Sequence, residues 1–537
     1  RLLESSHNPE GNIFLRALKK VISGSYSKLL NWALRHPLPT LLFAGLLFGA
    51  SLYIPKLIGF GLFPKSEKPM FRITFETPEG SSLNETNRVS RIVEDELKRH
   101  PEVKFFSTSV GRGNPRMYYN VIERSESSNY AEVFVQLQDE IHPPEKEKII
   151  DQLRDRLRYV PNANVEVVDF EQGPNTEAPI SIRVMGEDLE QLRSVAADVE
   201  KMLKETPGTI YVKNPLTTRR TDLRVKINKE KAGLLGISVA DINRTVRLAI
   251  AGLNIGTYKD AGGDDYNINV TLPKGKTTTS AVLNNLYVNT LTGAAVPLRQ
   301  VADIQFETST NQIRHYDRDR FVTVSAFVKS GYLVDNVYKE AIDKLDKYKF
   351  PKDFSYVAAG ELEARQKSFG GLGTIILITA FGFLGVLILE FGNFKSSLIV
   401  LSVIPLGIIG AFTMLWIVGY PLSFVAVIGL IALIGIEVKN SILLVDFTNQ
   451  LREEGRPLFE AIQEAGEIRF VPIVLTSLTA IGGLIPLAIE GNPLYSPLAW
   501  VLIGGLISST LLSRIVTPVL YRLIPPRVEV KKVEIES

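Results

Sequence analysis

The sequence GIEVKNSILLVDF, residues Gly435 to Phe447, carries charged side chains in an apolar part of the chain. It lies inside an apolar run, about 422–447, that is long enough to cross a bilayer as one helix. The run nevertheless contains Glu437, Lys439 and Asp446. Without partners, Glu437 and Lys439 would together cost about 5–7 kcal/mol at the bilayer centre on insertion scales. We therefore expect Glu437 and Lys439 to serve a function, whereas Asp446 lies near the cytoplasmic end and is expected to be solvated.

The charged residues fall on different faces of that predicted helix. At about 100° per residue, Lys439 and Asp446 share one face. Glu437 and Ser441 share another, with Asn440 near its edge. We expect the polar groups to point into a helix bundle rather than to lipid. Lys439 lies close to mid-membrane and Glu437 is on the wrong face to pair with it, so the sequence predicts a carboxylate partner from outside this chain.

Six apolar runs are long enough to span a membrane. They cover roughly 38–58, 369–389, 396–418, 422–447, 470–489 and 497–524. Lysine and arginine concentrate in the flanks on one side of these runs, so we expect both termini in the cytoplasm. The region of about 300 residues between the first two runs must then lie outside.

The run after the charged helix begins with RFVPIVLTSLTA. Arg469 is predicted at the cytoplasmic end of this span. Thr476 lies about 9 Å further along the helix axis, at 1.5 Å per residue. That depth is close to the depth of Lys439. The hydroxyl of Thr476 is therefore expected to join the same polar network.

The outer region contains two similar patterns of strands and helices. Residues 71–170 read as β-α-β-β-α-β, the order of a ferredoxin-like unit. In its first helix Val89, Val93 and Leu97 share one face. A second unit starts at APISIRVMG, is interrupted by a mixed insert of about 216–313, and resumes with RFVTVSAFVKS.

The loop GRGNPRMYYN, Gly111 to Asn120, joins two strands of the first unit. Its glycines and proline allow an unusual backbone path, and Arg112, Arg116, Tyr118 and Tyr119 offer hydrogen bonds and stacking surface. An ordinary solvated loop explains the same residues equally well. Both interpretations stay open at this point.

Composition excludes several classes of function. A chain of 537 residues predicts several domains, and a net charge of +3 gives no indication of nucleic acid as the main partner. The chain has no cysteine, and its five histidines are scattered, so neither thiolate chemistry nor a metal site is expected. Five methionines make a soft-metal pathway improbable. Because the chain begins with Arg1 and lacks a signal-peptide pattern, we expect a fragment.

The stretch GIEVKNSILLVDF…EAGEIRFVPIVLTSLTAIGGLIPLAI, together with the topology and the split outer units, resembles the C-terminal half of a resistance-nodulation-division (RND) multidrug efflux pump. PEGSSLNET is a weaker match. The resemblance is to the branch that exports hydrophobic and amphipathic compounds such as drugs and detergents. It implies an α-helical membrane bundle of six transmembrane helices plus a large α+β periplasmic region with two ferredoxin-like porter subdomains and a docking insert.

The resemblance also implies domain boundaries. They are a cytoplasmic juxtamembrane segment at 1–37, the first transmembrane helix at 38–58, the first porter subdomain at 66–172, the split second porter subdomain at 173–215 and 314–362, the docking insert at 216–313, five transmembrane helices at 366–525 and a cytoplasmic tail at 526–537.

The same resemblance implies roles for individual residues. Lys439 would pair with the aspartates of a proton relay, with Thr476 and Arg469 assisting and Asn440 following the lysine. Glu437 is added to the relay, although its position is more often neutral in that family. Arg514 is unexpected within the last span and is interpreted as snorkelling to the cytoplasmic face.

The loop at 111–120 would be the switch loop of the substrate path, so its members Arg112, Arg116, Tyr118 and Tyr119 become path residues. Phe134 would be a pocket aromatic. No cofactor or metal is implied, because the proton motive force would drive transport.

The partners implied are an N-terminal half with a buried aspartate pair, two further copies in a homotrimer, a periplasmic adaptor, an outer-membrane channel and the lipid bilayer, but no nucleic acid. The location implied is the bacterial inner membrane, with a multi-pass topology. The alternative is a Sec-type protein-export accessory subunit or another RND-superfamily binding or chaperone module. A membrane enzyme lacks any candidate pair of catalytic residues.

Overall fold

The computed structural model describes residues 26–217, 219–273, 280–310 and 312–529. The predicted segments 1–37 and 526–537 therefore lie partly outside the described residues, up to position 25 and from position 530. The helices are α1 (Ser27–Arg35), α2 (Pro37–Ser51), α3 (Ile54–Ile58), α4 (Leu83–Leu97), α5 (Pro143–Leu157), α6 (Leu189–Lys204), α7 (Lys229–Leu234), α8 (Val239–Ile250), α9 (Ser280–Asn284), α10 (Leu298–Val301), α11 (Val334–Lys347), α12 (Glu361–Phe369), α13 (Leu372–Phe391), α14 (Phe394–Leu401), α15 (Val403–Val418), α16 (Phe424–Glu453), α17 (Leu458–Ile468), α18 (Phe470–Ile489) and α19 (Ser496–Leu523).

The strands are β1 (Phe60–Gly61), β2 (Met70–Glu76), β3 (Val103–Val110), β4 (Tyr130–Leu137), β5 (Asn164–Asp169), β6 (Ile180–Met185), β7 (Thr209–Lys213), β8 (Arg219–Ile227), β9 (Leu253–Lys259), β10 (Asp265–Val270), β11 (Tyr287–Asn289), β12 (Ala295–Pro297), β13 (Ala302–Thr310), β14 (Arg314–Tyr316), β15 (Asp319–Val328), β16 (Ser355–Gly360) and β17 (Leu422–Ser423).

Six helical runs in the described residues are long and apolar enough to cross a membrane. They are Pro37–Ile58, Glu361–Phe391, Phe394–Val418, Phe424–Glu453, Leu458–Ile489 and Ser496–Leu523. Helices α15 and α19 pack closely, because Gly410 and Gly504 each lie against the other's carbonyl oxygen. The hydroxyl of Ser508 also donates to the Leu406 carbonyl oxygen at 2.8 Å. Small residues at this crossing allow the two backbones to approach.

The span expected at 396–418 is two helices rather than one. Helix α14 ends at Leu401 and α15 begins at Val403. Pro405 has no N–H to donate to the Leu401 carbonyl, and its ring disfavours a continuous helix. The break therefore has a physical cause in the sequence.

The first sheet has four antiparallel strands in the order β3-β4-β2-β5. Ile73 of the central strand β2 lies opposite Val133 of β4 and Val167 of β5. These residues face α4 and α5 and form one buried core with Val93 and Leu153. The alternation of β2 leaves its other face to polar side chains.

The second sheet is built from two separate parts of the chain. Strand β6 lies between β15 and β16, and β7 and β14 both pair with β15. Ile182 lies opposite Val324 and Ala358. Helices α6 and α11 supply buried residues such as Val195 and Ala341.

Residues Leu216–Ile313 form a compact unit of their own. Its long ribbon pairs β8 with β13 over the whole length of both strands, and two shorter antiparallel pairs join β9 to β10 and β11 to β12. Ile242, Leu298 and Val301 are fully buried in its core.

A short parallel ladder joins the segment after the first span to the start of α16. Phe60 lies opposite Leu422, and Gly61 lies opposite Ser423. The N–H of Leu422 donates to the Gly59 carbonyl at 3.0 Å, and the N–H of Phe424 donates to the Leu62 carbonyl at 3.2 Å. Main-chain hydrogen bonds thus hold this end of α16 to the chain that leads into the first sheet.

Candidate functional site

Lys439 is the central residue of the charged helix α16. It lies fifteen residues after Phe424, so its Cα is about 22 Å along the helix axis. Its side chain is exposed, and within the described residues it makes no hydrogen bond or ion pair. In this chain Lys439 does not point into the helix bundle, and the carboxylate partner expected from outside the chain stays a prediction. The residue faces outward near the middle of α16.

The other polar residues of the motif are buried. Glu437 is 1% exposed, and Asn440 and Ser441 are also buried. In the part of the chain that the structure describes, Glu437 Oε1, Asn440 Nδ2 and Ser441 Oγ have no hydrogen-bond partner. Glu437 and Lys439 thus lie on different faces of α16, as the helical spacing predicted. Only the face with Glu437 is covered by this chain.

Helix α19 supplies a positive charge that acts on Glu437. The Glu437 carboxylate lies beside the Ser509 hydroxyl and within electrostatic range of the Arg514 guanidinium. Arg514 is 2% exposed, its guanidinium lies 5.0 Å from the ring centre of Phe470, and its Nη1 donates to the Arg469 carbonyl at 3.5 Å. The snorkelling interpretation of Arg514 is therefore wrong.

Arg514 was missing from the residues that the sequence predicts for the site. The signal was an arginine inside an apolar span, since a charge there usually faces the bundle interior and pairs with another group. The partner could not be predicted, because the contact depends on how α19 packs against α16.

Arg469 and Thr476 lie on the neighbouring helical run without reaching Lys439. The Arg469 guanidinium is 4.5 Å from the ring centre of Phe447. Thr476 is exposed, and its hydroxyl donates to the Pro472 carbonyl at 2.8 Å. No hydrogen bond joins either residue to Lys439 within the described ranges.

The second set of predicted residues surrounds the loop after β3. Tyr118 and Phe134 are buried together with Phe170 in one aromatic cluster. The Tyr118 and Phe170 rings stack with centres 4.7 Å apart, and the Phe134 and Phe170 centres are 6.2 Å apart. Burial raises the pKa of the Tyr118 hydroxyl. Phe134 and Tyr118 are thus brought together as parts of one apolar surface.

The other loop residues have local roles. Arg112 and Arg116 are exposed, and Arg116 donates to the Tyr119 carbonyl inside the loop. The Tyr119 hydroxyl accepts a hydrogen bond from the Gly173 N–H, and Asn120 Nδ2 donates to the carbonyls of Glu171 and Gly173 at 2.9 Å. The loop is therefore tied to the segment after β5.

Comparison with known proteins identifies the family. The profile of the AcrB/AcrD/AcrF family matches residues 1–525. The chain belongs to the AcrB/AcrD/AcrF family. This family is part of the RND superfamily, so the resemblance is confirmed at that level.

The curated relatives of the chain include proteins with different named roles. The chain is 27% identical over 517 residues to the "Cation efflux system protein CzcA" of Alcaligenes sp. and to the "Cobalt-zinc-cadmium resistance protein CzcA" of Cupriavidus metallidurans, in both cases over 93% of this chain and 48% of the relative. It is also 27% identical over 509 residues to the "Swarming motility protein SwrC" of Bacillus subtilis, covering 94% of this chain and 47% of that protein. The chain spans about half the length of the curated relatives it matches.

The AcrB/AcrD/AcrF fold is also seen in solved structures. A crystal structure of a heavy metal efflux pump superimposes with a TM-score of 0.79 at 23% identity, covering 95% of this chain and 52% of that chain. At this identity the similarity shows a shared fold. Neither the hydrophobe and amphiphile branch nor the Sec-type alternative is favoured by these relatives.

Proposed function

We propose that this chain is the C-terminal half of a proton-driven RND exporter in the bacterial inner membrane. In this proposal the region between the first two spans is periplasmic and consists of two ferredoxin-like porter subdomains and a docking insert. The exporter would act as a homotrimer with a periplasmic adaptor and an outer-membrane channel. Family membership and the six apolar helices support the proposal.

The observation that carries the proposal is the outward-facing Lys439. A charged group at the bilayer centre costs about 2.5–3.5 kcal/mol on insertion scales. The described chain offers it no carboxylate, although it covers Glu437 on another face of the same helix. A carboxylate pair on a complementary half would offset that cost. Protonation of the pair would then weaken its attraction to Lys439 and couple proton entry to a movement of α16.

Substitution of Lys439 tests the coupling. In the intact exporter Lys439→Ala should reduce export to background while the protein still assembles, because the relay loses its positive partner. Dye efflux from energised cells measures the effect, and Lys349→Ala is a matched control because Lys349 is an exposed lysine outside the apolar helices. Undiminished export by Lys439→Ala would contradict proton coupling through this residue.

For the cargo we propose hydrophobic or amphipathic compounds. The cluster of Tyr118, Phe134 and Phe170 supports this, since adjacent aromatic rings offer a large apolar contact surface beside a polar loop. Phe134→Ala should lower the rate of lipophilic dye export about tenfold, the equivalent of roughly 1.4 kcal/mol of binding. Phe306→Ala is the control, because Phe306 is an exposed phenylalanine of the insert.

Metal cations are the second candidate cargo, and the names of two relatives and one solved structure favour them. The same cells decide between the two cargo classes. If the intact exporter lowers cellular zinc or cadmium and leaves dye accumulation unchanged, the cargo is a cation and the amphiphile proposal is wrong. A chaperone role would instead be supported by co-purification with the Sec channel and no export of either class.

A further inference from the structure

Two modules of the chain meet along strand β5. The first module is the first sheet with helices α4 and α5, and the second module is the second sheet with α6 and α11. Residues 71–167 form the apolar core of the first module. The second module buries residues of its own, such as Ile182, Val195 and Val324. Because each module has its own core, the contacts that cross between the modules decide whether they stay together.

Strand β5 is an edge strand of the first sheet, so some of its main-chain groups point away from its neighbour β2. The N–H of Val167 donates to the Tyr211 hydroxyl at 3.1 Å, and Arg154 Nε donates to the Val167 carbonyl at 3.0 Å. Arg154 lies on α5 of the first module, whereas Tyr211 lies on β7 of the second. A tyrosine of the second module thus caps the open edge of the first sheet.

A β-bulge in β7 places Tyr211 at this edge. Between residues 325 and 327 of β15 there is one residue, whereas Tyr211 and Val212 of β7 both lie between the partners of those two positions. Tyr211 has a φ of 53°, in the left-handed region that residues with a side chain rarely adopt. Such backbone strain persists only where surrounding contacts maintain it. The hydrogen bond to Val167 is a contact of that kind.

Two more polar contacts join the modules on either side of Tyr211. Lys213 Nζ lies 3.0 Å from Glu166 Oε2 and 3.9 Å from Glu76 Oε1. Arg154 Nη1 donates to the Ser330 hydroxyl of the second module at 3.3 Å. The Lys213 side chain is 42% exposed, so water reaches this contact. Hydrogen bonds and ion pairs of this kind are exchanged for bonds to water at a small net cost when two surfaces separate.

We propose that Tyr211, Lys213 and Ser330 form a releasable latch that holds the second module against strand β5. While the latch is closed, the bond to Val167 keeps Tyr211 in its left-handed conformation. When the latch opens, the Tyr211 hydroxyl loses that partner, the residue relaxes to an extended conformation, and the two modules move apart. This inference goes beyond the proposed function, because the latch depends neither on proton coupling nor on the cargo.

The distance between two spin labels tests the latch. The chain has no cysteine, so Lys98→Cys in the first module and Lys347→Cys in the second supply two exposed labelling sites. Double electron–electron resonance on the purified full-length chain then gives the distribution of distances between the modules. Tyr211→Phe removes only the hydroxyl, and it should raise the population with the longer distance about fivefold, as the loss of one hydrogen bond does.

Tyr348→Phe is the matched control for the lost hydroxyl. The Tyr348 hydroxyl donates to Asp198 Oδ2 at 2.7 Å, and both residues belong to the second module. This variant should therefore leave the distance distribution unchanged. An unchanged distribution in Tyr211→Phe, or the same change in Tyr348→Phe, would overturn the proposal.

Reversal of the ion pair gives a second measurement that leaves Tyr211 in place. Lys213→Glu sets two negative charges side by side with Glu166 and should shift the distribution to the longer distance. The double variant Lys213→Glu/Glu166→Lys restores opposite charges and should return most chains to the shorter distance, which a general loss of folding would not allow. Lys204→Glu is the control, because Lys204 pairs with Glu200 on the same helix of the second module. The latch is contradicted if Lys213→Glu has no effect or if the exchanged pair fails to restore the shorter distance.

Discussion

At the scale of single residues, Glu437 and Arg514 are opposite charges buried in the helix bundle. Arg514→Met should destabilise the protein by about 1–3 kcal/mol, because it removes a positive charge that acts on the buried Glu437 and the donor to the Arg469 carbonyl. The double variant Glu437→Gln/Arg514→Met should recover most of that loss. Thermal unfolding in detergent measures both effects.

Arg522→Met is the control for this pair, since Arg522 is an exposed arginine near the end of the same helix. If Arg514→Met and Arg522→Met unfold at the same temperature, the electrostatic compensation of Glu437 is contradicted.

The charged motif also shows which features of the site could be predicted from the sequence. Helical spacing separates Glu437 from Lys439 by about 200°, and the structure places them on different faces. Spacing could not indicate which face is covered, because the cover is α19, more than a helix away along the chain. For that reason the exposure of Lys439 in this chain could not be predicted, and Arg514 was missed.

At the scale of elements, the contact between α15 and α19 depends on two glycines. A side chain at Gly504 would clash with the Gly410 carbonyl oxygen and with Met414. Gly504→Val should therefore destabilise the helix pair by about 1–3 kcal/mol, as overpacking does in a well-packed core. Gly482→Val is the matched control, because an added Cβ at Gly482 would meet no described atom within 4 Å. Equal melting temperatures for the two variants would contradict this account of the crossing.

The periodicity of apolar residues predicted the positions of those helices that have one buried face. Helix α4 lies where the spacing of Val89, Val93 and Leu97 predicted it, and all three are fully buried. Hydropathy alone predicted the start of a helix less well where its first turns are polar. The run after β16 begins at Glu361 rather than near 369, because its first turns carry charged residues that do not count as apolar.

At the scale of the whole molecule, Lys439 and Thr476 are both exposed, and under the proposed function a complementary half covers the surface that they form. A cysteine at Thr476 tests this, since the chain has no other thiol. Thr476→Cys should react with maleimide when the chain is alone and become at least tenfold slower when the complementary half is present. Lys349→Cys should react equally in both states. Unchanged labelling of Thr476→Cys would show that the complementary half does not cover this surface.

The cargo and the partners could not be predicted from this sequence as specifically as the positions of the helices. Pocket residues such as Phe134 lie in loops and on sheet faces, where no periodic pattern identifies them. The family profile shows the family and a solved structure shows the fold, whereas the relatives carry different named roles.

The ladder of Phe60 and Gly61 with Leu422 and Ser423 has a mechanical consequence. Axial displacement of the lysine helix would reach the first sheet through peptide groups alone, with no side chain as an intermediate. Because these hydrogen bonds involve only the main chain, conservative exchanges at Phe60 or Leu422 should preserve the transmitted displacement. Leu422→Pro removes the N–H that donates to the Gly59 carbonyl and should therefore interrupt the transmission.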